Sequence, residues 1–186
     1  MTTSDFHELE DVLDFTESDL SANREGSMSG RQLKALRRKR FGMSISLVFE
    51  FLFAVVIAAI PVIFLLLALT SPFRSLGNFL LLLPAILLTG GLAALFSYFL
   101  ITQRRQRWLA YGDDLKEGIV NRTTGQLTKA TFVRSRQRFW MISVGNEQLK
   151  INQKIFPCFE QYGFYHVYFT PHTCIILSAE FSQDTN

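Results

Sequence analysis

Histidine and cysteine are scarce in this chain, three and two residues among 186. Cys158, His166, His172 and Cys174 could be gathered on paper into a metal site, but none has the short paired spacing of structural zinc ligands. A cysteine nucleophile with a histidine base would lack a third group to orient the base. No catalytic residue, metal or cofactor is therefore expected, and the reading is non-enzymatic. There is no repeat at a solenoid period and no low-complexity tract. Nucleic-acid binding has no recognition motif behind it, so no nucleic-acid partner is expected.

The most consequential absence is charge. Residues 51–69 carry none, and as a helix they would be about 28 Å long, close to the hydrocarbon thickness of a bilayer. Residues 79–102 are also uncharged and would reach roughly 36 Å, enough to cross with some tilt. Backbone polar groups cannot be left unpaired in lipid, so each run must be helical. The fold class expected is a membrane α-helical hairpin of two transmembrane helices followed by a small all-β C-terminal domain. Pro61 and Pro84 lie inside the spans as ordinary membrane-helix prolines. Thr89, Gly90 and Gly91 give a small surface for close helix packing.

Positive charge is plentiful on one side only. Arg31, Lys34, Arg37, Arg38, Lys39 and Arg40 precede the first span, Arg104, Arg105 and Arg107 follow the second, and the loop between carries Arg74 alone. The positive-inside rule then places both termini in the cytoplasm of a cell whose inner membrane holds the chain. Both cysteines then lie in a reducing compartment and are expected as thiols. Trp108 and Tyr111 suit the headgroup level.

The order along the chain is an acidic, largely disordered arm (1–28), a basic juxtamembrane helix (29–42), transmembrane helices (43–70 and 79–102) joined by an extracytoplasmic loop (71–78), a basic connector (103–117) and a cytoplasmic β domain (118–181). The arm contains helix signals. Thr16 with Asp19 has the form of a capping box, flanked by Phe15 and Leu20, and predicts a short helix near 17–23. Ser29 with Gln32, stapled by Met28 and Leu33, predicts a second helix from Gly30 that runs into the first span. Leu33 and Leu36 would rest on the membrane boundary while Arg37, Arg38 and Arg40 reach phosphates. The acidic arm is placed to fold back on this basic helix. The extension of the second span is expected to break at Gly112.

From Gly118 the pattern becomes that of short strands. Residues 118–121 and 126–133 are separated by 122–125, read as a hairpin loop ending in glycine. Residues 140–144 and 147–151 meet across Gly145 and Asn146, a two-residue turn with glycine first. Residues 154–161 form a helical turn that buries Phe156 and Phe159. Residues 164–170 and 174–180 make a last hairpin across Pro171 and His172, with His166 facing solvent and Tyr165, Val167 and Phe169 on the other face. Six strands in a meander predict a small, barrel-like domain. Asn121, Arg122 and Thr123 match a glycosylation acceptor, which the expected topology keeps from the glycosylating side.

Two groups of residues stand out as candidate sites. Arg37, Arg38, Arg40, Arg104, Arg105 and Arg107, with Arg134, Arg136 and Arg138 on one loop, suit anionic lipid headgroups. Glu50 is the one carboxylate near the membrane, and a hairpin centred on Arg74 sets it level with Ser97 and Tyr98, either of which could donate to it. Two stretches, LSANREGSMSGRQ (20–32) and YHVYFTPHTCIILSAE (165–180), resemble the N-x-x-G-x-[LM]-S-x-x-Q and Y-x-V-Y-[YF]-x-P-H-[ST] elements of uncharacterised bacterial two-pass membrane proteins. That resemblance implies the same architecture and a bacterial source, and no activity. The expected role is a membrane-anchored module whose β domain meets a protein partner or lipid headgroups. The alternative is an accessory subunit packed through the hairpin into a larger membrane complex. A membrane enzyme stands third. The expected partners are the bilayer and a protein or membrane complex; the sequence sets no oligomeric state.

Overall fold

The computed structural model describes residues 9–70, 76–134 and 137–182. Three helices, α1 (Glu17–Arg24), α2 (Gly30–Thr70) and α3 (Leu76–Glu117), precede five strands: β1 (Asn121–Arg134), β2 (Gln137–Val144), β3 (Glu147–Ile151), β4 (Phe164–Phe169) and β5 (Ile176–Phe181). Residues 9–13 are also helical. The chain divides into two compact units, Met1–Arg38 with Ala110–Asn186, and Lys39–Leu109.

The first unit is built on one antiparallel sheet of order β3-β2-β1-β4-β5. The expected six-strand meander is corrected to five strands in an open order with β1 at the centre. What looked like a loop at 122–125 is continuous strand: residues 121–126 of β1 pair with β4, and residues 127–134 pair with β2. Gly125 marks a close approach instead of a turn. A Cβ there would lie 2.8 Å from the backbone nitrogen of Gly145, so a side chain is excluded where β1 changes partner. Gly145 does turn the chain, at φ +57°, and Val144 faces Glu147 across the two-residue turn as the sequence predicts. Residues 153–158 form successive turns in which Phe159 is buried and Phe156 packs on the core, and residues 164–181 form the last hairpin.

Strand alternation sends side chains to two faces, and each face has its own core. One holds Leu127, Ile142, Val144, Leu149, Tyr165, Val167, Phe169 and Ala179, closed by Leu9 and Phe159. The other sets Tyr168 and Leu177 of β4 and β5, with Val120, against Phe15, Leu20, Met28 and Leu36. The described part of the arm, residues 9–28, is therefore folded, because its apolar residues complete the second core. Leu36 is buried there and Leu33 packs beside it, which corrects their expected place on the membrane boundary. Helix α3 likewise runs through Gly112 to Glu117. Tyr111 and Leu115 pack on the same core, which outweighs the cost of one glycine in a helix, about 1 kcal/mol.

In the second unit, side-chain bonds join residues 44–50 of α2 to residues 104–108 of α3. Among the described residues one helical segment, Gly30–Ile57, is long and apolar enough to cross a membrane.

Gly125→Ala should lower the stability of the full chain by about 1–3 kcal/mol, since the added methyl meets backbone that cannot rotate away. Gly30→Ala, at a helix start with nothing within 4 Å of the new Cβ, should be neutral or gain up to about 1 kcal/mol. Denaturant titration in mild detergent, followed by tryptophan fluorescence, compares the two; equal effects would contradict the close approach.

Candidate functional site

The arm is held to the sheet by polar contacts that begin with helix caps. Thr16 and Asp19 cap α1 reciprocally, and Ser29 and Gln32 cap α2 with paired bonds of 3.1 Å. Asp19 does more than cap. Its side chain, 3% exposed, accepts from the hydroxyl of Ser29 and from the Arg31 guanidinium at 2.6 and 2.9 Å. Arg31 also reaches Asp14. Among the described residues the acidic arm thus does fold onto the basic helix, through Arg31. Burial works against ionisation of Asp19, but the bonds from Ser29, Arg31 and Thr16 outweigh it and hold the carboxyl below its usual range.

On the sheet, Asn23 donates from its buried amide to Ser178 at 2.7 Å, while its carbonyl oxygen has no partner among the described residues. Beside it, Arg24 bonds Glu180, which also accepts from the Tyr168 hydroxyl at 2.7 Å. Burial again opposes the charge on Glu180, and the Arg24 and Tyr168 bonds again win, so its carboxyl is held low. Burial and the adjacent carboxylate push Tyr168 up to about 12. The Arg122 guanidinium lies 6.0 Å from the Tyr168 ring centre, and its other contact is His166, which also bonds Thr124 at 2.7 Å. His166 is thus half-buried and engaged instead of facing open solvent.

The opposite end of the last hairpin is pinned by Asp114, on the final turns of α3. Fully buried, it accepts from the backbone amides of His172 (2.9 Å) and Thr173 (3.0 Å) and from the Thr173 hydroxyl (2.6 Å). Thr170 completes the turn by accepting the Ile175 amide. Glu117 bonds the exposed His172 ring at 3.1 Å and raises its pKa. The residues after α3 return to the arm: the Met28 amide donates to Gly118, and the Val120 amide to Gly26, whose φ of +81° suits glycine.

Both quoted sequence elements therefore meet in one lock. Asn23, Gly26, Met28, Ser29 and Gln32 tie the arm to the sheet and to residues 118–120; Tyr168, Thr170, His172 and Thr173 tie the hairpin to α3 and to Glu180. Sequence reasoning missed Asp114, Asn23 with Ser178, and Arg24 with Glu180. Only Asn23 carried a signal, as the first residue of its element. Among the described residues no group of three or more His, Cys, Asp or Glu is placed to hold a metal ion.

In the second unit, Glu50 does not bond Ser97 or Tyr98. Its partner is Arg104, at 2.8 Å, which also donates to Ser46 at 2.7 Å. Trp108 donates to Ser44 at 2.7 Å, and the Arg40 guanidinium lies 4.3 Å from the Trp108 ring centre. Arg40 and Trp108 lie level, as a hairpin centred on Arg74 predicts, but the partner of Glu50 lies further along α3 than that centre places it. A guanidinium explains the difference, since its long stem reaches back along the helix and its bond to a carboxylate is charge-assisted. Ser97 is half-buried and Tyr98 is exposed, as are Arg37, Arg38, Arg105, Arg107 and Arg138. Arg136 and the Arg134 side chain lie outside the described residues.

No family model, curated protein or solved structure matches the chain.

The lock has a pH dependence of known sign. Asp19 and Glu180 have ordinary values of 3.8 and 4.5 and are lowered in the fold. Their contribution is complete above those values and is lost as pH falls through the folded ones. Glu180→Gln should be less stable at neutral pH and decline less steeply in acid, as read from melts over that range. Asp114→Ala, which strands two amides in the interior, should cost about 3 kcal/mol.

Proposed function

We propose that the chain is a non-enzymatic, membrane-anchored module: two helices cross the membrane, both termini face the cytoplasm, and the β domain is presented there to a protein or to lipid headgroups. One observation carries the reading. Helices of 41 and 42 residues run without interruption between the locked β unit and the uncharged stretches 51–69 and 79–102. The first begins at a cap bonded to the arm, and the second ends on the carboxylate that holds the last hairpin.

The chemistry of the second unit supports a lipid surround. Phe49, Phe53, Leu92, Leu95 and Phe96 are 63–70% exposed, and apolar surface on that scale needs a partner or a bilayer. The Glu50–Arg104 pair fits the same setting, because a carboxylate near lipid needs a countercharge. Arg37, Arg38, Arg105 and Arg107 remain for headgroups. A second reading, an accessory subunit of a membrane complex, is favoured by Tyr98, whose ring is 73% exposed on the second apolar helix and offers a hydroxyl to a neighbouring helix.

Topology is tested in a Cys158→Ser, Cys174→Ser background that carries Ser75→Cys or Asn146→Cys. The protein should remain in the membrane fraction after alkaline extraction. An impermeant thiol reagent applied to intact cells should label position 75 and leave position 146 unlabelled. Equal labelling at both overturns the orientation, and release on extraction overturns the anchoring.

A further inference from the structure

The sheet has one part that its neighbours do not support. On one side of β1, contact with β4 ends at Gln126, and the bonds that continue it, from Tyr162, Gly163 and the Gln161 side chain, end at Lys129. On the outer side of β2, pairing with β3 begins only at Trp140. The ends of β1 and β2 beyond these points form a two-stranded ribbon that, among the described residues, has no third strand and no core beneath it.

Such an end should be polar, because a bare ribbon buries neither face. Here it is apolar on both. Phe132 pairs with Phe139 and Val133 with Arg138, and consecutive residues of a strand point to opposite faces. Phe132 is 54% exposed and Val133 70% exposed. Cations border both. Arg138 sits exposed across from Val133, and the Lys150 ammonium lies 4.4 Å from the ring centre of Phe139, the partner of Phe132. Residues 128–142 contain no Asp or Glu.

We propose that this ribbon end is a wedge for an anionic bilayer surface, with Phe132 and Val133 entering the headgroup region and Arg138 and Lys150 contacting lipid phosphates. The geometry favours lipid over protein as the occupant. A flat protein surface covers one face of a ribbon and leaves the other wet, whereas a bilayer surrounds an inserted end on every side. The charge fits as well, since basic groups near an anionic leaflet are attracted within a Debye length of about 8 Å at physiological salt. The proposal rests on the membrane-anchored reading and deepens it by naming a second, reversible contact of the chain with lipid.

The test uses the full chain, without its native cysteines, reconstituted in phosphatidylcholine vesicles with or without phosphatidylglycerol. An environment-sensitive fluorophore is attached at Val133→Cys, at Phe132→Cys for the opposite face, or at Asn146→Cys on the exposed β2–β3 turn as control. Unchanged melting relative to the parent verifies that each variant folds. With phosphatidylglycerol present, emission from 132 and 133 should shift to the blue and be quenched by spin-labelled lipid, while position 146 stays in water. Labels at 132 and 133 as wet as that at 146 overturn the wedge and leave the anchoring intact. A blue shift without quenching by lipid also overturns it, because protein then covers the ribbon, whether a partner or a second copy. Vesicle flotation reads the anchoring separately; a chain that does not float removes both readings together.

Discussion

A carboxylate withdrawn from water must find its hydrogen bonds in protein, and Asp114 finds three in the turn between β4 and β5. The rest of the first unit depends on that contact. It fixes where the last hairpin turns, and hence where Ser178 and Glu180 fall on β5. Those two residues receive Asn23 and Arg24, so α1 lies on the outer face of the sheet with Phe15 and Leu20 in the second core. With α1 in place, Asp19 meets Ser29 and Arg31 at the start of α2. The bonds thus run from the end of one long helix, through the sheet, to the beginning of the other.

Much of this was legible where the physics is local. Caps at Thr16 and Ser29 involve residues three apart, and the Gly145–Asn146 turn lies between two alternating runs, so pattern alone identifies them. Contacts between distant residues leave no such trace. Asn23 and Ser178 are 155 positions apart, and neither is distinctive in isolation. The reading of β1 failed for a different reason. Glycine serves both turns and close approaches, and the run Arg-Thr-Thr-Gly looks the same in each until the neighbour of Gly125 is known to be the backbone of Gly145.

The arm and connector show how composition misleads when partners are remote. Eight acidic residues in the first thirty suggested a solvated tail, yet the few apolar residues among them are the ones the sheet needs for its second core. Gly112 suggested a break, yet Tyr111 and Leu115 beside it pack on that core and keep α3 whole. In the second unit, depth along the helices suggested Ser97 or Tyr98 as donors to Glu50, and its partner is Arg104. Matching depth along two helices ignores side-chain length, and an arginine reaches further than a serine or a tyrosine can.

The two sequence elements that look most distinctive prove to be spent within the fold. Most of their hydroxyls, amides and carboxylates bond one another, so the lock accounts for most of their pattern. The proposed function draws on groups whose interactions the fold does not consume. Among the described residues those are the exposed apolar faces of the long helices, the exposed arginines at 37–38 and 105–107, and the unsupported end of the β1–β2 ribbon. All three combine apolar surface with positive charge and lack acidic neighbours, apart from Glu50, which Arg104 neutralises. That combination is the one the proposed anionic bilayer surface would meet in each place, while the lock holds the sheet to the arm and to the end of α3.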